Sequence, residues 1–182
     1  MGKKLIYAGI GSRKTPDLVL RQMESIGQQL GESGWHLRSG FADGADKAFG
    51  RGAETVGGSF EMILPWEGFN GAPTNDPRFY IPQWSAELLE IAAAAHPVWE
   101  RLTDTVKCLH ARNVPQVLGW NVREPADMVI CWTPNAKSDG GTGQAIRVAK
   151  MRGIPVFDLA DPVQCQALVD FVAARELAFT LE

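Results

Sequence analysis

The stretch SDGGTGQAIRVAK, residues 138–150, joins an apolar run, MVICW at 128–132, to an alternation of apolar and polar residues. The apolar run reads as a buried strand, and the alternation that follows reads as a helix. A glycine-rich turn between them presents backbone N–H groups and the positive end of a helix dipole to one point in space. Two readings stand for Gly140, Gly141 and Gly143: a tight connection, or a cradle for phosphate.

Working outward, the same alternation recurs along the chain. Residues 4–9, KLIYAG, read as a first strand, and Pro16 opens a helix as proline does at a first helical position. Val19, Met23, Ile26 and Leu30 recur at helical spacing, and Gly34 ends the helix. Residues 35–39 predict a second strand, 43–56 a helix and 61–66 a third strand. Residues 67–82 carry two glycines and three prolines among Asn and Asp and predict a long loop. Helices are expected near 85–95 and 97–112, then a strand at 126–132, a helix at 142–152, a strand at 154–159 and a helix at 163–175. The expected fold is α/β: one domain over residues 1–182, with a doubly wound, mainly parallel five-stranded sheet. A loop and helical insertion at 67–120 follows the third strand.

Composition narrows the function classes. The 182 residues are 45% hydrophobic and 21% charged, enough for one substantial core. The net charge of −3 argues against a protein that grips DNA mainly through its phosphates. Cys108, Cys131 and Cys165 show no metal-ligand spacing, so no metal and no cofactor are expected, and the thiols read as reduced in a cytoplasm. No stretch is long and apolar enough for a membrane span or a signal peptide.

In open α/β sheets, ligands sit beyond the carboxyl ends of the strands. Three polar, glycine-bearing turns follow predicted strands and therefore share that edge. The first holds Gly11, Ser12 and Arg13, offering close backbone approach, a hydroxyl and a guanidinium. It departs from the dinucleotide fingerprint because Lys14 replaces a third glycine. The second holds Ser39, Gly40, Asp43 and Asp46. Asp43 reads first as a helix N-cap and second as a partner for ligand hydroxyls, and Asp46 favours the dipole one turn on. The third is Gly140, Gly141, Thr142 and Gly143. His110, Arg112 and Asn113 end a predicted helix nearby, where an arginine also suits the dipole.

Together these segments resemble the SLOG superfamily, which includes DprA DNA-processing proteins, LOG phosphoribohydrolases and YpsA-like proteins. RSGFADGADKAFGRGAE at 38–54 is similar to the DprA glycine motif, with Phe49 near a family histidine. GIGSRKTP at 9–16 is similar to the YpsA-like GSR turn. LHARN at 109–113 followed by GGTGQAIR at 140–147 is similar to the LOG arginine and PGGxGTxxE pattern. The likeness runs from residue 4 to about 159 and is looser over 67–102. It also extends to phage-encoded DprA-like proteins, which would place the chain in a host cytoplasm, and it implies a homo-oligomer.

The resemblance implies nucleotide chemistry, but one departure matters. In LOG enzymes an arginine and a glutamate act on an N-glycosidic bond. Arg112 matches the arginine, while the glutamate position carries Arg147. An arginine neither stabilises an oxocarbenium-like centre nor serves as a base. Asp139, Asp43 or Glu54 are the carboxylates left to replace it. The expected function is therefore binding without cleavage: a nucleotide or nucleotide-derived signalling molecule is held on Gly140–Gly143, Arg13 and Arg112, with Ser12, Ser39 and Asp43 meeting ribose or phosphate. The alternatives are a nucleoside-monophosphate N-glycosidase using Arg112, and a DprA-like mediator that binds single-stranded DNA. The last would draw on exposed aromatics such as Trp66, Trp84 and Trp120.

Overall fold

The computed structural model describes residues 4–134 and 140–180. Its strands are β1 (Ile6–Gly9), β2 (His36–Ser39), β3 (Phe60–Ile63), β4 (Phe79–Tyr80), β5 (Met128–Cys131) and β6 (Val156–Asp158). Its helices are α1 (Asp17–Glu32), α2 (Ala45–Thr55), α3 (Ala86–Ala94), α4 (Asp104–Ala111), α5 (Asn113–Leu118), α6 (Gly140–Met151) and α7 (Pro162–Thr180). The six strands are all parallel, in the order β4-β3-β2-β1-β5-β6. Five strands were expected. The sixth, β4, lies inside the stretch read as a loop, where Met62 N–H donates to Arg78 O and Leu64 N–H to Tyr80 O. The helical insertion therefore follows β4 rather than β3.

Strand alternation builds two apolar layers. Ile6, Ala8, Val129 and Cys131 face α3, α5 and α6, and Tyr7, Met128 and Ile130 face α1, α2 and the apolar side chains of α7. The helix read at 97–112 divides into a 3-10 turn, Trp99–Arg101, and α4, which begins after the extended residue Thr103. Among the described residues no helix is long and apolar enough to cross a membrane.

The sheet reverses its strand order between β1 and β5, since the chain runs outward from β1 to β4 and then returns to β1's other side. The turns after β1 and β5 part there, opening a crevice at the carboxyl ends of the strands. Gly44, at φ +89°, brings the turn after β2 against the turn after β1: a Cβ there would stand 2.9 Å from Ser12 O.

Candidate functional site

The crevice is a cleft of about 840 Å³. Gly11, Ser12, Arg13 and Lys14 line it from the turn after β1, and Ala42, Asp43 and Asp46 from the turn after β2. Trp66, Phe69 and Asn70 come from the segment after β3, and His110, Arg112, Asn113 and Gln116 from α4 and α5. Thr133 and Pro134 follow β5, and Gly140, Gly141 and Thr142 open α6. Ten of the expected site residues thus stand around one cleft, although their segments are far apart in the chain. Ser138 and Asp139 lie outside the described residues.

Three expected residues do not line it. Ser39 is fully buried, and its Oγ donates to Gly9 O at 2.6 Å because parallel neighbours β1 and β2 end side by side. Gly40 lies beneath the cleft floor, where a Cβ would stand 1.3 Å from Arg112 Nη1 and 2.2 Å from Gln116 Nε2. Gly143 is buried within α6. Asp43 is not the N-cap of α2. That position is Gly44, and Asp43 forms an exposed pair with Lys47 at 2.8 Å. Ser12 shapes its own turn, since its Oγ accepts from Lys14 N–H at 3.0 Å.

The floor is built on Asp46 and Arg112. Asp46 Oδ2 accepts from Ala42 N–H at 3.1 Å and meets Arg112 Nη1 at 3.5 Å. Asp46 is 3% exposed and Arg112 7%. Burial pushes the Asp46 carboxyl above its ordinary range, against the pull of Arg112 and of the Ala42 and Gly11 N–H groups. Burial likewise lowers Arg112, and Asp46 opposes the shift. Arg112 Nε and Gln116 Nε2 are buried without a hydrogen-bond partner among the described residues. A buried guanidinium with one long ion pair and an idle N–H is short of acceptors, as is the Gln116 amide.

A second network fixes the start of α6. Asn113 Nδ2 donates to Gly141 O at 3.2 Å and to Gln144 Oε1 at 3.0 Å, and Gln144 Nε2 donates to Ala92 O at 2.9 Å. Asn113 thereby anchors the helix whose N-terminal groups border the cleft. Arg147 turns elsewhere: its Nε donates to Ala95 O at 2.6 Å, and it does not line the cleft. Sequence reasoning missed Gln116, Gln144 and Phe69, and offered Trp66 only as one of the aromatics on which single-stranded DNA could stack. Among the described residues no three His, Cys, Asp or Glu side chains stand close enough to hold a metal ion.

His110, on the cleft wall, contacts Gln144 Oε1 through Nδ1 at 3.2 Å and meets the His96 ring with centroids 4.5 Å apart. Burial holds the His110 imidazole below its ordinary pKa, helped by His96, Arg147 and Arg112, while the Gln144 contact opposes it. Burial and Arg147 lower His96 as well. The unfolded chain takes up these protons near pH 6.5, before the folded one does. Their stabilising contribution is therefore complete above about pH 6.5 and fades as pH falls through the lowered folded values. The melting temperature is expected to drop between about pH 7.5 and about pH 5.5, and His110→Gln to reduce that drop. Equal pH profiles for the two proteins would contradict this.

No protein-family model matches this chain, and no curated protein matches it. Solved structures do. The molybdenum cofactor carrier protein of Chlamydomonas reinhardtii is 16% identical with a TM-score of 0.54, covering 95% of this chain and 86% of its own. DNA processing protein A of Helicobacter pylori, described by its single-stranded DNA binding mode, is 17% identical with a TM-score of 0.55, covering 91% of this chain and 72% of its own. The structural-genomics protein TM1055 is 20% identical with a TM-score of 0.50, over 85% and 72% of the two chains. At these identities the likeness is one of fold: a Rossmann-like parallel sheet with helices on both faces.

Proposed function

We propose that the cleft binds a nucleotide or nucleotide-derived molecule and holds it intact. The observation that carries this reading is the buried floor, where Arg112 Nε and Gln116 Nε2 have no hydrogen-bond partner among the described residues, beside a helix N-terminus. A phosphate or ribose oxygen supplies the acceptors these groups want, in a setting where charge-assisted hydrogen bonds are strong. Arg13 and Lys14 at the rim and the first turn of α6 add positive potential. Against hydrolysis stands Arg147, which occupies the position of the LOG glutamate and turns toward Ala95. Asp46, the carboxylate beside Arg112, is engaged with Ala42 N–H and Arg112.

A thermal-shift panel of linear and cyclic nucleotides tests this. A ligand at one hundred times its Kd should stabilise the fold by about 2.7 kcal/mol, roughly 5–10 °C for a chain of this size. No shift with any member would overturn the reading. Release of free base that depends on Arg112 would replace binding with N-glycosidase activity. Salt-dependent binding of oligonucleotides with no response to mononucleotides would favour single-stranded DNA as the partner. Native mass spectrometry in the same series reads the proposed homo-oligomer.

A further inference from the structure

The cleft is chemically uneven across the sheet. Its polar end lies at the switch point, where the turns after β1 and β5 part and α6 begins. Its other end, after β3, is aromatic. Trp66 remains 38% exposed, and Phe69 meets it edge-to-face with centroids 5.2 Å apart and planes at 88°. Phe69 itself is buried in a small apolar cluster with Ala42, Leu64 and Ala72, and Arg112 lies 5.5 Å from its ring centroid. The tryptophan is thus fixed by a buried neighbour while part of its own surface stays uncovered on the cleft. Tryptophan at such a position offers a flat, polarizable surface.

The strand order gives the separation of the two ends. From β3 to β1 is two strand spacings, and from β3 to β5 three, or about 10–14 Å. An isolated phosphate spans a fraction of that distance, whereas a heterocycle joined through ribose to a phosphate bridges most of it. We infer that Trp66 is the stacking platform for the planar heterocycle of a ligand whose phosphate lies at the β1/β5 end. This inference rests on the nucleotide reading of the cleft and adds to it a direction and a specificity residue.

Titration calorimetry with AMP, UMP and ribose 5-phosphate tests it on the native protein, Trp66→Ala, Trp66→Phe and Arg112→Ala. Base stacking on an aromatic predicts that Trp66→Ala weakens AMP by roughly 5- to 150-fold, far more than it weakens ribose 5-phosphate. Trp66→Phe should recover most of the AMP affinity, and AMP should quench a fluorescence component that this variant lacks. Equal losses for AMP and ribose 5-phosphate in Trp66→Ala, or no loss for either, would overturn the platform while leaving the phosphate site standing. Failure of every probe to bind the native protein, or binding indifferent to Arg112→Ala, would overturn the site itself and the platform with it.

Discussion

Gly52→Ala should lower the stability of this protein by about 2 kcal/mol, roughly 4–8 °C in melting temperature. Gly52 lies on α2 where it crosses α1. A Cβ there would stand 2.0 Å from Glu24 O and 2.8 Å from Gln28 N, both main-chain atoms of α1. Gly27 makes the reciprocal approach, with a Cβ position 2.6 Å from Phe49 O. Backbone atoms inside a helix cannot rotate away as a side chain can, so the two helices must separate. That separation loosens Met23 and Phe49, both fully buried in the same apolar layer. Overpacking of this kind costs about 1–3 kcal/mol and occasionally more, while alanine regains about 1 kcal/mol of helix propensity over glycine. Gly31→Ala offers the comparison: its nearest neighbour is a side-chain methyl, Val56 Cγ2, at 2.9 Å. Urea unfolding should rank Gly52→Ala well below Gly31→Ala, and the reverse ranking would contradict the packing described.

The alternation of strands and helices was legible because β1 and β5 are short apolar runs and α1 and α2 repeat with a helical period. β4 was not, because Phe79–Tyr80 is two residues long, between Pro77 and Pro82, and too short to show alternation. Its existence depends on pairing with β3, which lies in no local pattern. α5 was missed for a different reason. Pro115 looks like a breaker, but it stands in the first turn of Asn113–Leu118, where an N–H has no helical partner to lose.

Glycine and polar residues after strands marked three walls of the cleft, since strand ends in a parallel sheet share an edge. What they could not mark was which side chain faces which. Ser39 has the composition of a site residue and spends its hydroxyl on Gly9 O. Gln116 and Gln144 have the composition of surface residues and are 1% and 0% exposed. The Asp46–Arg112 pair joins positions 66 residues apart, and only the fold brings them together.

Arg112→Ala is expected to damage both stability and binding, and the two effects are separable. Removing the guanidinium leaves the Asp46 carboxyl 3% exposed with backbone N–H partners and no cation, so its pKa should rise further. Breaking a buried pair from one side typically costs about 3–5 kcal/mol. Asp46→Asn alone should also destabilise, because it strands the buried Arg112. The double variant Asp46→Asn/Arg112→Met removes both charges and keeps much of the side-chain volume. It should therefore unfold in urea at a concentration nearer the native protein than either single variant. Binding should behave in the opposite way. If the ligand's oxygens meet Arg112, the double variant remains folded yet loses roughly 30-fold or more in affinity, since truncating a buried charged partner costs about 2–5 kcal/mol. A double variant that folds and binds nucleotide as the native protein does would make Arg112 a structural residue. Gly40, whose missing side chain gives the guanidinium its space, would then serve packing alone.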